Sequence, residues 1–194
     1  RAARVASDIV IEPPWLASIS TPEDLVVSLD PGLAWGHGSH PSTRLVAEEL
    51  ASRRPLTGKS MLDVGCGSGV LSILGALLGL HEVVAIDIEP QAVEATLANA
   101  VVNGVEARIE VSTTALSQVQ GTFDVIVANI GALTLIDLAP QLVERMSSQG
   151  LLVLSGLLEE QADEVVAAYS GLVEHVRRMD NGWVAVALRP ASSV

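Results

Sequence analysis

Cysteine occurs once in the 194 residues, at Cys66, so no disulfide can form within the chain. A reducing, cytoplasmic setting is the expectation, with Cys66 a small buried residue rather than a nucleophile. Lysine also occurs once, at Lys59; 11 Lys and Arg face 23 Asp and Glu, a formal net charge of −12. Such a chain repels nucleic-acid phosphates unless its few cations form a patch. The only basic doublets are Arg53-Arg54 and Arg177-Arg178, and both read as solvated surface. An acidic surface suits a basic partner such as a ribosomal protein, and equally suits plain solubility. Aromatic residues make up 3% of the chain, so the core must be built from Ala, Val, Leu and Ile. No apolar run has the length of a bilayer span: the longest, Val70 to Leu80, is broken by Ser72, Gly75 and Gly79, and no membrane association is expected. No secretory leader is visible. His37 and His40 have H-x-x-H spacing, but no third ligand accompanies them, so no metal is expected.

What remains is an apolar chain, 49% hydrophobic, with a regular alternation of elements. Asp8 to Ile11 and Leu25 to Leu29 read as short strands around Pro13-Pro14-Trp15. Asp30 to His40 reads as a loop, and Pro41 opens a helix to about Ser52. Strands are then expected over Ser60–Val64, Glu82–Ile88, Ala107–Val111, Phe123–Asn129 and Leu151–Leu154. Helices are expected over Gly69–Leu78, Pro90–Asn103, Leu133–Ser148 and from Glu159 to about Ser170. Val173–Met179 and Trp183–Leu188 close the chain as a hairpin across the tight turn Asp180-Asn181-Gly182. This alternation predicts an α/β fold, a mostly parallel sheet with helices on both faces, to which the terminal hairpin adds an antiparallel strand. Residues 1–40 stand outside the alternation as N-terminal strands and a covering loop; residues 41–194 form the main unit, the whole being one compact domain.

The chemistry concentrates at Gly65-Cys66-Gly67-Ser68-Gly69, where the first core strand turns into a helix. Glycine there lets backbone pass close to a ligand and adopt positive φ. Asp87 ends the next strand, 22 residues after Gly65, where an acid can accept hydrogen bonds from both ribose hydroxyls. The dinucleotide fingerprint G-x-G-x-x-G would need its third glycine at Val70; here it falls at Gly69. S-adenosylmethionine has no pyrophosphate, so this turn need only pass a methionine tail and a ribose. Asp63 could bind the ammonium of that tail, directly or through water. Asn129 ends a later strand at the same edge, where it could orient an incoming amine or serve only as a turn residue.

In these motifs the chain resembles the PrmA family, the ribosomal protein L11 methyltransferases. Asp30 through Thr43 follows the family loop D-P-G-L-A-F-G-T-G-T-H-P-T-T, with Trp35, His37, Ser39 and Ser42 as the departures. Leu62 to Leu71 matches L-D-V-G-C-G-S-G-I-L with one change, Val70. Ala128-Asn129-Ile130-Gly131 with Leu138–Leu142 resembles A-N-I-L followed by L-A-P-x-L, and Leu154 to Gln161 resembles L-S-G-I-L-x-x-Q. The resemblance implies a Rossmann-like class I methyltransferase fold with a seven-stranded sheet and S-adenosyl-L-methionine as cofactor. It implies cofactor contacts at Thr43, Gly65, Asp87 and Asn129, to which the turn adds Gly67. It implies methylation of protein amines, with a ribosomal protein as partner; Asn129, from its place at the strand end, is the candidate to orient the substrate. A small-molecule or nucleobase N-methyltransferase, or a non-catalytic cofactor-binding module, are the alternatives. The loop's Gly32, Gly36 and Gly38 suggest that it closes over the cofactor, with Trp35 packing as part of that cover. The family carries a separate amino-terminal recognition domain, and nothing of that size precedes Arg1, so a catalytic domain or a short relative with another acceptor is expected. Nothing in the sequence speaks to oligomeric state.

Overall fold

The computed structural model describes residues 2–30 and 38–191. The expectations placed on Gly32, Trp35, Gly36 and His37 therefore lie outside the described residues.

Among the described residues there are two sheets. In the smaller, strands β1 (Ala3–Ala6) and β2 (Ile9–Glu12) pair antiparallel, and β3 (Leu25–Ser28) runs parallel to β2. Strand β1 was not anticipated: of its four residues only Val5 is buried, so the sequence shows no apolar run there. Asp8, placed in a strand by the sequence, lies in the β1–β2 turn, and its carboxylate accepts from Arg54 at 2.7 Å.

The larger sheet holds β4 (Ser60–Val64), β5 (Glu82–Ile86), β6 (Ile109–Ser112), β7 (Phe123–Asn129), β8 (Met146–Leu158), β9 (Leu172–Asp180) and β10 (Trp183–Pro190) in the order β6-β5-β4-β7-β8-β10-β9. All pairings among β4 to β8 are parallel, and β10 is antiparallel to both β8 and β9. Helices α1 (Pro41–Ser52), α2 (Val70–Leu77), α3 (Pro90–Val102), α4 (Ala132–Glu144) and α5 (Glu159–Ala167) complete the fold. This is the α/β architecture expected.

The period-2 pattern of the strands divides the core into two layers. Met61, Val125, Val127, Val153 and Ala185 face the layer that holds Leu45, Leu50, Ile73 and Leu74 of α1 and α2. Leu62, Ile126, Ala128, Leu152 and Val186 face the opposite layer, with Leu135 and Leu142 of α4 and Val165 of α5. Both faces of the central strands are covered, which is why they read as continuous apolar runs. Tyr169, just after α5, donates its hydroxyl to the Leu135 carbonyl of α4 at 2.7 Å and so closes the second layer.

Two expectations need correction. The helix expected over Leu133–Ser148 stops at Glu144, and β8 begins already at Met146. Met146 pairs with Phe123, and the register then shifts before Val125 meets Leu151. The polar stretch Ser147-Ser148-Gln149 is the surplus of that irregularity, and such a run is indistinguishable from a helix end by composition. The arginine doublets are only partly the solvated surface expected: Arg54 and Arg177 are exposed, whereas Arg53 and Arg178 are half-buried. Arg53 and Arg178 both bond the buried carboxylate of Glu49, Arg54 pairs with Asp8, and Arg177 pairs with Asp163 and Glu174.

The connections fix where a ligand can lie. From β4 the chain winds outward through α2, β5, α3 and β6, then returns to lay β7 on the other side of β4. The reversal opens a crevice at the carboxyl ends of β4 and β7, the position where open α/β sheets bind ligands.

Candidate functional site

The glycine turn after β4 is built from left-handed backbone. Gly65, Gly67 and Gly69 have φ of 77°, 55° and 81°, a region costly for residues with a Cβ. Two of the three also lack room for one. A Cβ on Gly65 would collide with the Ile130 side chain, and one on Gly69 would lie 2.8 Å from the Thr96 side chain.

Asp87, directly beyond β5, is half-buried and ties this turn to its neighbour. One carboxylate oxygen accepts from the Gly67 N–H at 2.9 Å and the other from the Glu89 N–H at 3.0 Å. Each carboxylate oxygen has two acceptor positions, so one remains on each. Ile88 follows it and is 88% exposed, more than any other large apolar side chain among the described residues. Sequence reasoning treated Ile88 as the end of a strand and missed it.

Across the crevice, Asn129 ends β7. Its amide donates to the Thr43 hydroxyl at 3.3 Å, joining two expected site residues that are 86 positions apart. Thr43 is buried in the first turn of α1, a helix opened by Pro41 and capped by His40, whose Nδ1 accepts from the Ser42 N–H at 3.3 Å. The His40 ring meets Trp183 edge-on at 4.7 Å between centroids. Ser155 of β8 is fully buried, and its hydroxyl contacts the Ser42 carbonyl at 3.2 Å and the Val184 carbonyl at 3.0 Å. Behind Asn129, a Cβ on Gly156 (φ 83°) would lie 2.6 Å from the Ile130 carbonyl oxygen. Ile130 thus packs between two bare glycines, Gly65 and Gly156. Ser155 and Gly156 entered the sequence reading only as part of the Leu154–Gln161 motif, with no role assigned.

Thr43, Gly65, Gly67, Asp87 and Asn129 therefore share one edge, while Asp63 does not open onto it. Its side chain points into the α2 layer, is 1% exposed, and accepts from the Ser72 hydroxyl at 2.6 Å. Burial pushes its pKa up from 3.8 to about 7, opposed by the Ser72 bond and assisted by the charge of Asp87. A carboxyl raised on folding stabilises the fold below its unfolded pKa and loses that contribution as pH rises through about 7. Asp63→Asn, which cannot ionise, should gain in Tm relative to wild type between about pH 4 and about pH 8. Thermal melts across that range test this; parallel curves would show that Asp63 does not titrate there.

Cys66 is buried beside Thr96, and burial pushes its thiol up to about 12, so it holds its proton and packs. Two further residues escaped the sequence reading. Thr96 and Asn99 of α3 donate to the Gly67 and Ser68 carbonyls at 3.1 and 2.9 Å. Their signal was available as polar side chains at helical spacing on an otherwise apolar face.

A family model for ribosomal protein L11 methyltransferase (PrmA) matches residues 1–190. The chain is 42% identical over 193 residues to the ribosomal protein L11 methyltransferase of Geobacter sp. (strain M21), covering 96% of this chain and 62% of that relative. The chain thus spans less than two thirds of the length of such curated relatives. Among solved structures, the ribosomal protein L11 methylase of Lactobacillus delbrueckii subsp. bulgaricus matches with a TM-score of 0.88 at 30% identity, over 97% of this chain and 98% of that one. An RNA methyltransferase of Salinibacter ruber, solved with S-adenosyl-L-homocysteine, matches with a TM-score of 0.62 at 17% identity, over 77% and 92% of the two chains. At that identity the likeness is one of fold.

Proposed function

Because the chain belongs to the ribosomal protein L11 methyltransferase (PrmA) family, we propose that it is an S-adenosylmethionine-dependent methyltransferase that acts on amine nitrogens of a ribosomal protein. The observation that carries this reading is the pair of polar groups flanking the glycine turn at the crevice: the Asp87 carboxylate on the β5 side and the Asn129–Thr43 pair on the β7 side.

The residues fit the cofactor. The two acceptor positions left on Asp87 match the two ribose hydroxyls, and exposed Ile88 offers an apolar surface to the base beside them. The bare, left-handed Gly65 and Gly67 let the methionine tail pass close to backbone. Asp63 lies beneath the turn, buried against Ser72 of α2, and makes no direct contact with the site edge. When bound, S-adenosylmethionine supplies an electrophilic methyl group carried on a sulfonium. Asn129 donates one N–H to Thr43, which leaves its second N–H and its carbonyl oxygen for ligands. That oxygen can accept an N–H of the acceptor amine and aim the nitrogen lone pair along the line of transfer. The rate advantage is then one of proximity and alignment. A lysine amine, with an ordinary pKa of about 10.4, must dock neutral, and burial beside a cationic sulfur favours that form.

This reading treats residues 1–40 as a cover on the unit formed by 41–194, and it places the protein in the cytoplasm with its ribosomal substrate. Among the described residues no helix is long and apolar enough to cross a membrane. A nucleic-acid acceptor fits less well: Arg4, Arg44, Arg53, Arg54, Arg145, Arg177 and Arg178 each face a carboxylate, which leaves little cationic surface for phosphates. The test is labelled methyl transfer to a total ribosomal-protein extract and, separately, to ribosomal RNA. Label is expected in the protein fraction; label in the RNA alone would overturn the acceptor class.

A further inference from the structure

Helix α3 and its C-terminal cap carry a polar stripe, buried at Thr96 and Asn99 and half-buried at Asn103, on the face turned toward the small sheet and the glycine turn. Thr96, Asn99 and Asn103 follow one another at spacings of three and four, and so share one side of the helix. Their bonds form a graded series. Thr96 donates to the Gly67 carbonyl, on the glycine turn. Asn103 binds the small sheet: its side chain accepts from the Ser28 N–H at 2.9 Å and donates to the Ser28 carbonyl at 2.7 Å, as a neighbouring strand would. Asn99 does both. It accepts from the Asp30 N–H at 2.9 Å, donates to the Asp30 carbonyl at 2.8 Å, and donates to the Ser68 carbonyl at 2.9 Å. Both amide hydrogens and the carbonyl oxygen are used, and the residue is 2% exposed.

We propose that Asn99 is a positioning residue of the cofactor site: by holding the Ser68 carbonyl and both backbone groups of Asp30 together, it sets the spacing between the glycine turn and the chain that follows β3. The proposal rests on the reading of that turn as the S-adenosylmethionine site. No shorter side chain spans three backbone groups at once, and the two turn residues beside Ser68 are left-handed glycines with little stiffness of their own. Their geometry is held from outside, through Asp87 on one side and α3 on the other. Cofactor that orders the turn therefore also orders residue 30 through the Asn99 amide, while the side-chain partner of the Ser28 backbone is Asn103.

The contrast between the two asparagines is the test, with S-adenosylhomocysteine as the probe. Asn99→Ala and Asn103→Ala each remove an amide that holds β3 or the chain after it, so both should lower Tm. Asn99→Ala alone should also weaken the probe, by about tenfold, with Asn103→Ala within about twofold of wild type. Hydrogen exchange on the wild type reads the same coupling without any variant, should Asn99→Ala fail to fold. Adding the probe should slow exchange at the Asp30 amide, bonded to Asn99, more than at the Ser28 amide, bonded to Asn103. Equal affinity of Asn99→Ala and wild type, or equal slowing of the two amides, would overturn the positioning role while leaving the cofactor reading intact. Failure of the wild type to bind the probe would overturn both.

Discussion

Asp87→Ala should weaken binding of S-adenosylhomocysteine by about 1–3 kcal/mol, roughly fivefold to 150-fold, the scale of hydrogen bonds to a charged acceptor. Two losses combine. The acceptor positions assigned to the ribose hydroxyls disappear, and the Gly67 N–H, held at 2.9 Å by the same carboxylate, loses its anchor. Asp87→Asn removes part of each. It keeps one acceptor oxygen but turns an NH2 group toward one of the two N–H donors now facing the carboxylate, Gly67 or Glu89. Its affinity should fall between wild type and Asp87→Ala, because one acceptor oxygen remains. Titration calorimetry on the three proteins measures this directly. Unchanged affinity in Asp87→Ala would remove the ribose assignment.

The same residue shows how far the sequence could be read. Asp87 was legible because its place depends only on local rules: an apolar strand, a glycine turn one unit earlier, and the right-handed crossover between parallel strands. The central strands were legible for a related reason, since burial on both faces leaves no polar alternation to confuse them. Legibility fails where partners are distant. Strand β1 exists because β2 pairs with it, and its own residues Ala3–Ala6 carry little signal. The end of α4 is set by Met146 pairing with Phe123, which no window centred on Ser147 or Ser148 can see. Glu49 is buried at 1% exposure in a helix face because Arg53 and Arg178 reach it from different elements. Asn99 bonds backbone 31 and 69 positions away. An asparagine in a helix interior is intrinsically unfavourable, and that cost at position 99 is a local signal of a tertiary role.

The site's second half predicts the larger kinetic effect. Asn129→Ala should lower kcat for methyl transfer on the order of a hundredfold, with cofactor affinity changed by less than about threefold. The asymmetry follows from what holds residue 129 in place. Its backbone is fixed by pairing with Ser155 in β8, and the next residue, Ile130, is packed between Gly65 and Gly156. Truncating the side chain therefore leaves the main chain, and the cofactor groove it borders, where they were. What is lost is the amide that Thr43 orients and with it the alignment of the acceptor nitrogen. Thr43→Val, which keeps the shape of Thr43 and deletes the hydroxyl, should produce a smaller fall in the same parameter, since the amide remains but turns freely. Single-turnover transfer at saturating cofactor separates the two readings of Asn129. A kcat within about twofold of wild type, with a raised cofactor KM instead, would make Asn129 a binding residue rather than an aligning one.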